Sequence, residues 1–113
     1  MQRISLHLVG ACIVAGIATL ANPGFLRAQG GADKVYKTNC VLCHAADGSG
    51  NSPSGKALKA KNLASEEIQK KSDAELTELI TKGKGKMPAF GKKLKPDEIA
   101  QLTAYIRELG KKK

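Results

Sequence analysis

Two cysteines and a histidine lie within five residues of each other, in the sequence CVLCH at positions 40–44. On a helical turn, side chains at i, i+3 and i+4 share one face, so Cys40, Cys43 and His44 are predicted to point the same way. A helical pattern precedes the motif, from about Ala32–Asp33 to Cys40. The rest of the fold must therefore enclose any group that these three side chains bind.

The first thirty residues differ in character from the rest of the chain. Eighteen residues without a charge, Ile4 to Ala21, follow Arg3, and small residues lie near Gly30. This order is typical of a secretory signal peptide. We predict a signal peptide over residues 1–30 and one domain over residues 31–113, in the periplasm or another extracytoplasmic space.

Two alternatives remain for the leading segment. Eighteen apolar residues can just span a bilayer core of about 30 Å, so the segment can also act as an uncleaved anchor. Cys12 can instead carry a lipid, although the apolar run continues past it, from Ile13 to Ala21. Under every reading the folded domain lies outside the cytoplasm.

The remaining 83 residues are predicted to be all-α, a small bundle of three to four helices. Ser72 begins a capping box, and its helix ends at Gly83. Ser65 begins a short helical turn, and the last helix runs from Pro96 to a stop at Gly110. Residues 45–62 are predicted to be a loop that Pro53 interrupts.

The apolar core of this domain is thin. Residues 31–113 contain only eighteen large apolar side chains, counting Val, Leu, Ile, Met, Phe and Tyr. Domains of this size often need a disulfide, a metal or a cofactor as part of the core. The composition therefore indicates that a bound group completes the fold.

Zinc and thiol chemistry are the smaller candidates for the CVLCH motif. A structural zinc site needs four ligands, and the domain offers only Cys40, Cys43 and His44 without help from a carboxylate. A disulfide closing four residues constrains little of the unfolded chain. A thiol–disulfide shuttle usually follows a strand, whereas a helical pattern precedes this motif.

Haem fits the spacing better. Two cysteine sulfurs can bond to the vinyl groups of the porphyrin while the imidazole of His44 reaches the iron, and Cys-x-x-Cys-His is the attachment motif of c-type haem. One covalently attached haem c would also supply the missing core.

Met87 is the candidate for the second axial ligand. Removal of the signal peptide leaves one methionine and one histidine, so a second histidine ligand is excluded. Pro88 keeps Met87 out of helical geometry, and Gly83 and Gly85 allow the backbone to approach a flat surface. A methionine that merely fills the core needs neither feature. Lys84 and Lys86 remain rival ligands after loss of a proton.

Three stretches in this order, KVYKTNCVLCH, GKGKMPAF and DEIAQLTAYIREL, resemble the class I c-type cytochromes, small carriers with a single haem. The resemblance covers about residues 31–109. It implies thioether bonds to Cys40 and Cys43, with His44 proximal and Met87 distal.

The resemblance also implies how the domain is packed around the haem. The first and last helices are expected to cross, with Gly31 or Ala32 at the contact and Tyr36 against Tyr105. A proline carbonyl that steadies the proximal histidine would come from Pro53.

Electron transfer is the predicted function, because a haem iron with two protein ligands has no open position for a substrate. The alternatives are a haem subunit of a larger oxidoreductase, a peroxidase-like haem enzyme, and more remotely a thiol-disulfide oxidoreductase. We predict an electron-transfer protein rather than an enzyme, and a monomer.

The charge of the domain indicates the kind of partner. Residues 31–113 carry 17 Lys and Arg against 10 Asp and Glu, a net charge of +7. Only three aromatic residues accompany the lysines, which disfavours nucleic acid. A redox partner protein with an acidic docking surface is predicted instead, and a membrane contact only if residues 1–30 are retained.

Overall fold

The computed structural model describes Gly16 and residues 23–112, with side chains described from Gly31 onward. Within this part of the chain the structure is all-α, as the sequence predicts. Six helices follow one another: α1 (Pro23–Asn39), α2 (Val41–His44), α3 (Pro53–Leu58), α4 (Glu66–Gln69), α5 (Asp73–Lys82) and α6 (Pro96–Lys111). Three of them, α1, α5 and α6, form the framework, and the other three are short helices of four to six residues.

Serine side chains begin two of the helices as the sequence predicts. The hydroxyl of Ser72 accepts from the amide of Glu75 at 3.1 Å, and the Glu75 carboxylate accepts from the amide of Ser72 at 2.6 Å. This reciprocal pair satisfies two amides that have no partner within α5. The hydroxyl of Ser65 caps α4 in the same way through the amide of Ile68.

Three predicted boundaries are wrong. α1 begins at Pro23 rather than near Ala32, since proline suits a first helical position and no further proline interrupts the segment. Pro53 does not interrupt a loop; it begins α3, because the hydroxyl of Ser52 caps that helix. Gly110 lies within α6 rather than beyond its end, where the absence of a side chain leaves room for Gln69.

The contact between α1 and α6 is the main helix crossing of the fold, as predicted. The rings of Tyr36 and Tyr105 lie 4.8 Å apart between centroids, tilted by 39°. Ala32 is buried, and a side chain at Gly31 would press on Gln101. The hydroxyl of Tyr105 also donates to Asp33 at 3.2 Å. The crossing therefore joins aromatic packing to a hydrogen bond between the two helices.

A polar cluster joins α4 to the last helix. The Gln69 amide group donates to the carbonyls of Leu63 at 2.7 Å and Ile106 at 3.0 Å. The Arg107 guanidinium donates to Asp73 and to the carbonyls of Gln69 and Lys71. These bonds hold the segment before α5 against α6.

None of the described helices combines the length and the apolar character needed to cross a bilayer. The predicted signal peptide and its alternatives, the anchor and the lipid-bearing Cys12, fall on residues 1–30, of which the structure describes only Gly16 and the backbone from Pro23.

Candidate functional site

The CVLCH motif lies on the short helix α2 and on Cys40, which precedes it. The amides of Cys43 and His44 donate to the carbonyl of Cys40 at 3.2 and 2.9 Å, and the amide of Cys40 donates to Tyr36 at 2.8 Å. The helical turn is therefore continuous with the end of α1. The side chains of Cys40, Cys43 and His44 all line one cavity.

Tyr36 stabilises the turn that directly follows the CVLCH motif. It is only 1% exposed, and its hydroxyl donates to the carbonyl of Ala45 at 2.7 Å. Burial raises the pKa of Tyr36, so the phenol keeps its proton and remains a donor. Ala45 has φ 62° and ψ 168°, a conformation that costs a residue other than glycine about 1–3 kcal/mol. The buried hydrogen bond helps to maintain this turn directly after His44.

His44 has a backbone partner that the sequence did not predict. Its Nδ1 lies 3.0 Å from the carbonyl oxygen of Lys61. Because a carbonyl only accepts, Nδ1 carries the proton, and Nε2 keeps a free electron pair for a metal. The prediction that Pro53 supplies this carbonyl is wrong, because Pro53 is the exposed first residue of α3 and does not line the cavity.

Glycines allow the chain after the motif to pack closely against it. A Cβ atom at Gly55 would overlap the carbonyl oxygens of Cys43 and Gly50. The hydroxyl of Ser52 donates to the carbonyl of Leu42 at 2.7 Å. The segment that begins with α3 is thus held against α2, and it returns along the motif to place Lys61 beside His44.

Met87 comes from a tight turn after α5. The amide of Lys84 donates to the carbonyl of Met87 at 3.1 Å, and the amide of Met87 donates back to Lys84 at 3.0 Å. The side chain of Met87 is half-buried, packs against the core and lines the same cavity as the CVLCH motif. The structure therefore brings together four of the five predicted site residues, all except Pro53.

The cavity has a volume of about 810 Å³, within the range of about 300–1,000 Å³ of cofactor sites. Its inner wall is apolar and comes from several elements: Leu63, Ile68, Leu76, Ile80, Phe90 and Leu102. Two thiols, an imidazole and a thioether are the only sulfur and imidazole groups on its wall within the described residues. A large, flat, apolar group with a soft metal at its centre fits this set of donors.

Neither of the smaller candidates for the motif is supported by the geometry. Cys40 and Cys43 do not form a disulfide with each other in the structure, and burial raises the pKa of Cys40 to about 11. A shuttle cysteine needs a lowered pKa instead. For zinc, residues 31–112, whose side chains the structure describes, contain no group of three or more His, Cys, Asp or Glu side chains placed to hold a metal ion.

Lysines dominate the charged residues of the cavity lining. Six lysines line the cavity against one acidic residue, Glu67, and these lysines are Lys59, Lys61, Lys71, Lys84, Lys86 and Lys93. Leu42, between the two cysteines, also lines the cavity and is 73% exposed. The lining therefore combines an exposed apolar side chain with an excess of positive charge.

Two functional features were missed at the sequence level. The Lys61 carbonyl gives no signal in the sequence, because every residue has the same backbone carbonyl. Gly83 was predicted to end α5 and to let the backbone approach a flat surface, whereas in the structure it also packs directly against the backbone of the Met87 turn. Its position four residues before Met87, in a segment with two glycines, was the available signal.

The chain is similar to known c-type cytochromes. Residues 28–106 match the family described as cytochrome c oxidase, cbb3-type, subunit III. A cytochrome c6 of Gloeothece citriformis (strain PCC 7424) is 32% identical over 99% of this chain and 98% of its own length. A structure of the KustC0563 c-type cytochrome superposes with a TM-score of 0.64 at 34% identity, over 69% of this chain and 95% of that one.

Other relatives are parts of longer proteins. The cbb3-type cytochrome c oxidase subunit FixP of Azorhizobium caulinodans is 36% identical over 80% of this chain, but the match covers 30% of that subunit. Fold, cavity and comparisons together define a small haem protein. The chain belongs to the class I c-type cytochromes, which carry one covalently bound haem c and transfer electrons to and from redox partner proteins.

Proposed function

We propose that this protein is an electron carrier whose haem is held by Cys40, Cys43, His44 and Met87. The observation that carries the proposal is the convergence of these four side chains on one apolar cavity. The two cysteines would form thioether bonds, His44 would be the proximal ligand and Met87 the distal one. When bound, the haem supplies a one-electron couple at its iron.

The protein's own residues set the conditions for that couple. The carbonyl of Lys61 orients the imidazole of His44 and makes its Nε2 a better donor of an electron pair to the iron. The apolar wall excludes water, and the Met87 thioether favours the reduced state. With both axial positions filled by protein, no position is left for a substrate, which supports a carrier rather than an enzyme.

Covalent attachment is tested on the protein as isolated. Acid–acetone extraction should leave the colour in the protein, because thioether bonds survive acid. The denatured protein should weigh one haem more than its chain, and the same mass gives its N-terminus. Colour that passes into the solvent would refute attachment through the cysteines. A mass that corresponds to a chain starting near Gly31 would support a signal peptide over residues 1–30. A mass that corresponds to residues 1–113 would favour a retained anchor.

The resemblance to FixP favours a second candidate, a haem subunit of a larger oxidoreductase. The described domain is compatible with both functions, because residues of this chain line the cavity in either case. Purification without detergent as a monomer would support a free carrier. Carbon monoxide or cyanide binding to the resting protein would instead indicate an open iron position and a peroxidase-like role.

The redox partner is proposed to have an acidic docking surface, and we place the protein in the periplasm or a similar compartment. The six lysines that line the cavity support an acidic docking surface on the partner, because only one acidic residue accompanies them there. Such an excess of positive charge would raise the rate of encounter with an acidic partner.

Salt dependence tests the docking proposal. The bimolecular electron-transfer rate with an acidic partner should fall steeply with salt, because the Debye length shrinks from roughly 30 Å at 0.01 M to 3 Å at 1 M. Lys93→Glu, at the cavity, should lower the low-salt rate more than Lys112→Glu, an exposed lysine at the end of α6. Equal effects of the two variants, or a rate independent of salt, would contradict a localised docking surface.

A further inference from the structure

The segment that carries Met87, residues 83–91, is hydrogen-bonded at both ends to the last turn of α5. The amide of Gly83 donates to the carbonyl of Leu79 at 2.8 Å, where the helix stops. After Met87 the chain returns, and the amides of Phe90 and Gly91 donate to Ile80 at 2.9 Å and Thr81 at 3.0 Å. Consecutive carbonyls in the last turn of α5 thus hold both ends of the segment.

Within this loop, the Met87 turn passes directly against Gly83. A Cβ atom at Gly83 would lie 2.5 Å from the carbonyl oxygen of Met87 and 2.7 Å from the carbonyl carbon of Pro88. Both are backbone atoms, so no side-chain rotation relieves the overlap. Gly83 also has φ 69° and ψ 174°, a conformation that favours glycine and that another residue adopts only with backbone strain.

We propose that Gly83 is a positioning residue for Met87: the bare Cα atom lets the Met87 backbone approach the end of α5 and so places the thioether at the iron. This inference rests on the proposed role of Met87 as a ligand. In this view the chain's own contacts order the loop before Met87 binds the iron, so formation of the iron–sulfur bond does not have to order it. Preorganisation of this kind lowers the cost of ligation.

Gly85 provides a matched control within the same turn. Its φ is 58°, so alanine there also adopts a left-handed conformation. A Cβ atom at Gly85 has no neighbour within 4 Å. Both glycines have a positive φ, so Gly85→Ala controls for that general cost, and only Gly83 adds the close approach to Met87.

The experiment compares Gly83→Ala and Gly85→Ala as haem-bearing proteins. Imidazole is the probe, since it has to displace Met87 in order to bind the ferric iron. Its affinity should rise at least tenfold in Gly83→Ala and less than threefold in Gly85→Ala, relative to the unsubstituted protein. The weak far-red band of sulfur-to-iron charge transfer should weaken in Gly83→Ala alone, with unchanged helix content by circular dichroism.

The outcomes separate this inference from the proposed function. If Met87→Ala raises imidazole affinity but the two glycine variants behave alike, the positioning role of Gly83 is wrong and Met87 remains a ligand. If the unsubstituted protein lacks the far-red band and Met87→Ala leaves imidazole affinity unchanged, methionine ligation itself is wrong.

A second measurement does not depend on the folding of Gly83→Ala. Amide hydrogen exchange in Met87→Ala should leave the protection of Phe90 and Gly91 within threefold of the unsubstituted protein, because their hydrogen bonds belong to the chain. A loss of protection of tenfold or more would mean that the iron–sulfur bond orders the loop, which would overturn the proposal.

Discussion

Replacing Met87 with alanine is expected to abolish the far-red band of the ferric protein and to open the iron to cyanide, carbon monoxide and peroxide. The physical reason is the loss of the thioether from the lining of the cavity that the CVLCH motif also lines. The reduction potential should fall on the order of 0.1 V, a fraction of the roughly 0.8 V over which axial ligands tune haem. Absorption spectra and redox titration measure both effects.

Two further substitutions at this position separate ligation from packing. Met87→Leu keeps most of the apolar volume that Met87 contributes to the core, so it should lose the band while staying close to the original stability. Met87→His should keep the iron six-coordinate at a lower potential. A band and a potential that survive Met87→Ala would contradict methionine ligation, and with it the reason for calling the protein a carrier.

Replacing both Cys40 and Cys43 with alanine is expected to leave a largely unfolded chain without covalent haem. Without haem, the apolar wall of a cavity of about 810 Å³ would lose its packing partner. The total stability of a domain is typically only about 5–15 kcal/mol, so the fold has little to offset that loss. Far-UV circular dichroism and haem content after acid–acetone extraction measure the loss.

Leu42→Ala is the matched control for the double substitution. Leu42 lies between the two cysteines on α2 and is 73% exposed, so its truncation removes little buried surface. This variant should retain covalent haem and full helix content. A cysteine-free double variant that folds and remains helical without haem would show that the protein side chains suffice as a core.

Much of the fold follows from local signals. Ser65 and Ser72 are helix caps in the structure because a serine hydroxyl satisfies free amides wherever a helix starts, independently of tertiary contacts. The Tyr36–Tyr105 contact followed from a family resemblance, and the structure places the rings 4.8 Å apart. Local rules were wrong at Pro53 and Gly110. A proline can interrupt a loop or begin a helix, and a glycine can end a helix or lie within it, and the sequence alone does not separate these roles.

The residue types of the site and the spacing of the motif are already present in the printed sequence. Cys40, Cys43 and His44 share a helical turn because the backbone repeats every 3.6 residues, and Met87 is the only methionine after the predicted signal peptide. These facts suffice to predict a haem, two thioether bonds and a pair of axial ligands.

The partner of His44 and the constraint on Met87 depend on the path of the chain in three dimensions. The Lys61 carbonyl reaches His44 across seventeen residues because Gly55 lets α3 pack against α2. Gly83 meets the Met87 backbone because the chain after α5 returns to the carbonyls of Ile80 and Thr81. Backbone groups are the same at every residue, so only tertiary packing decides which of them meet.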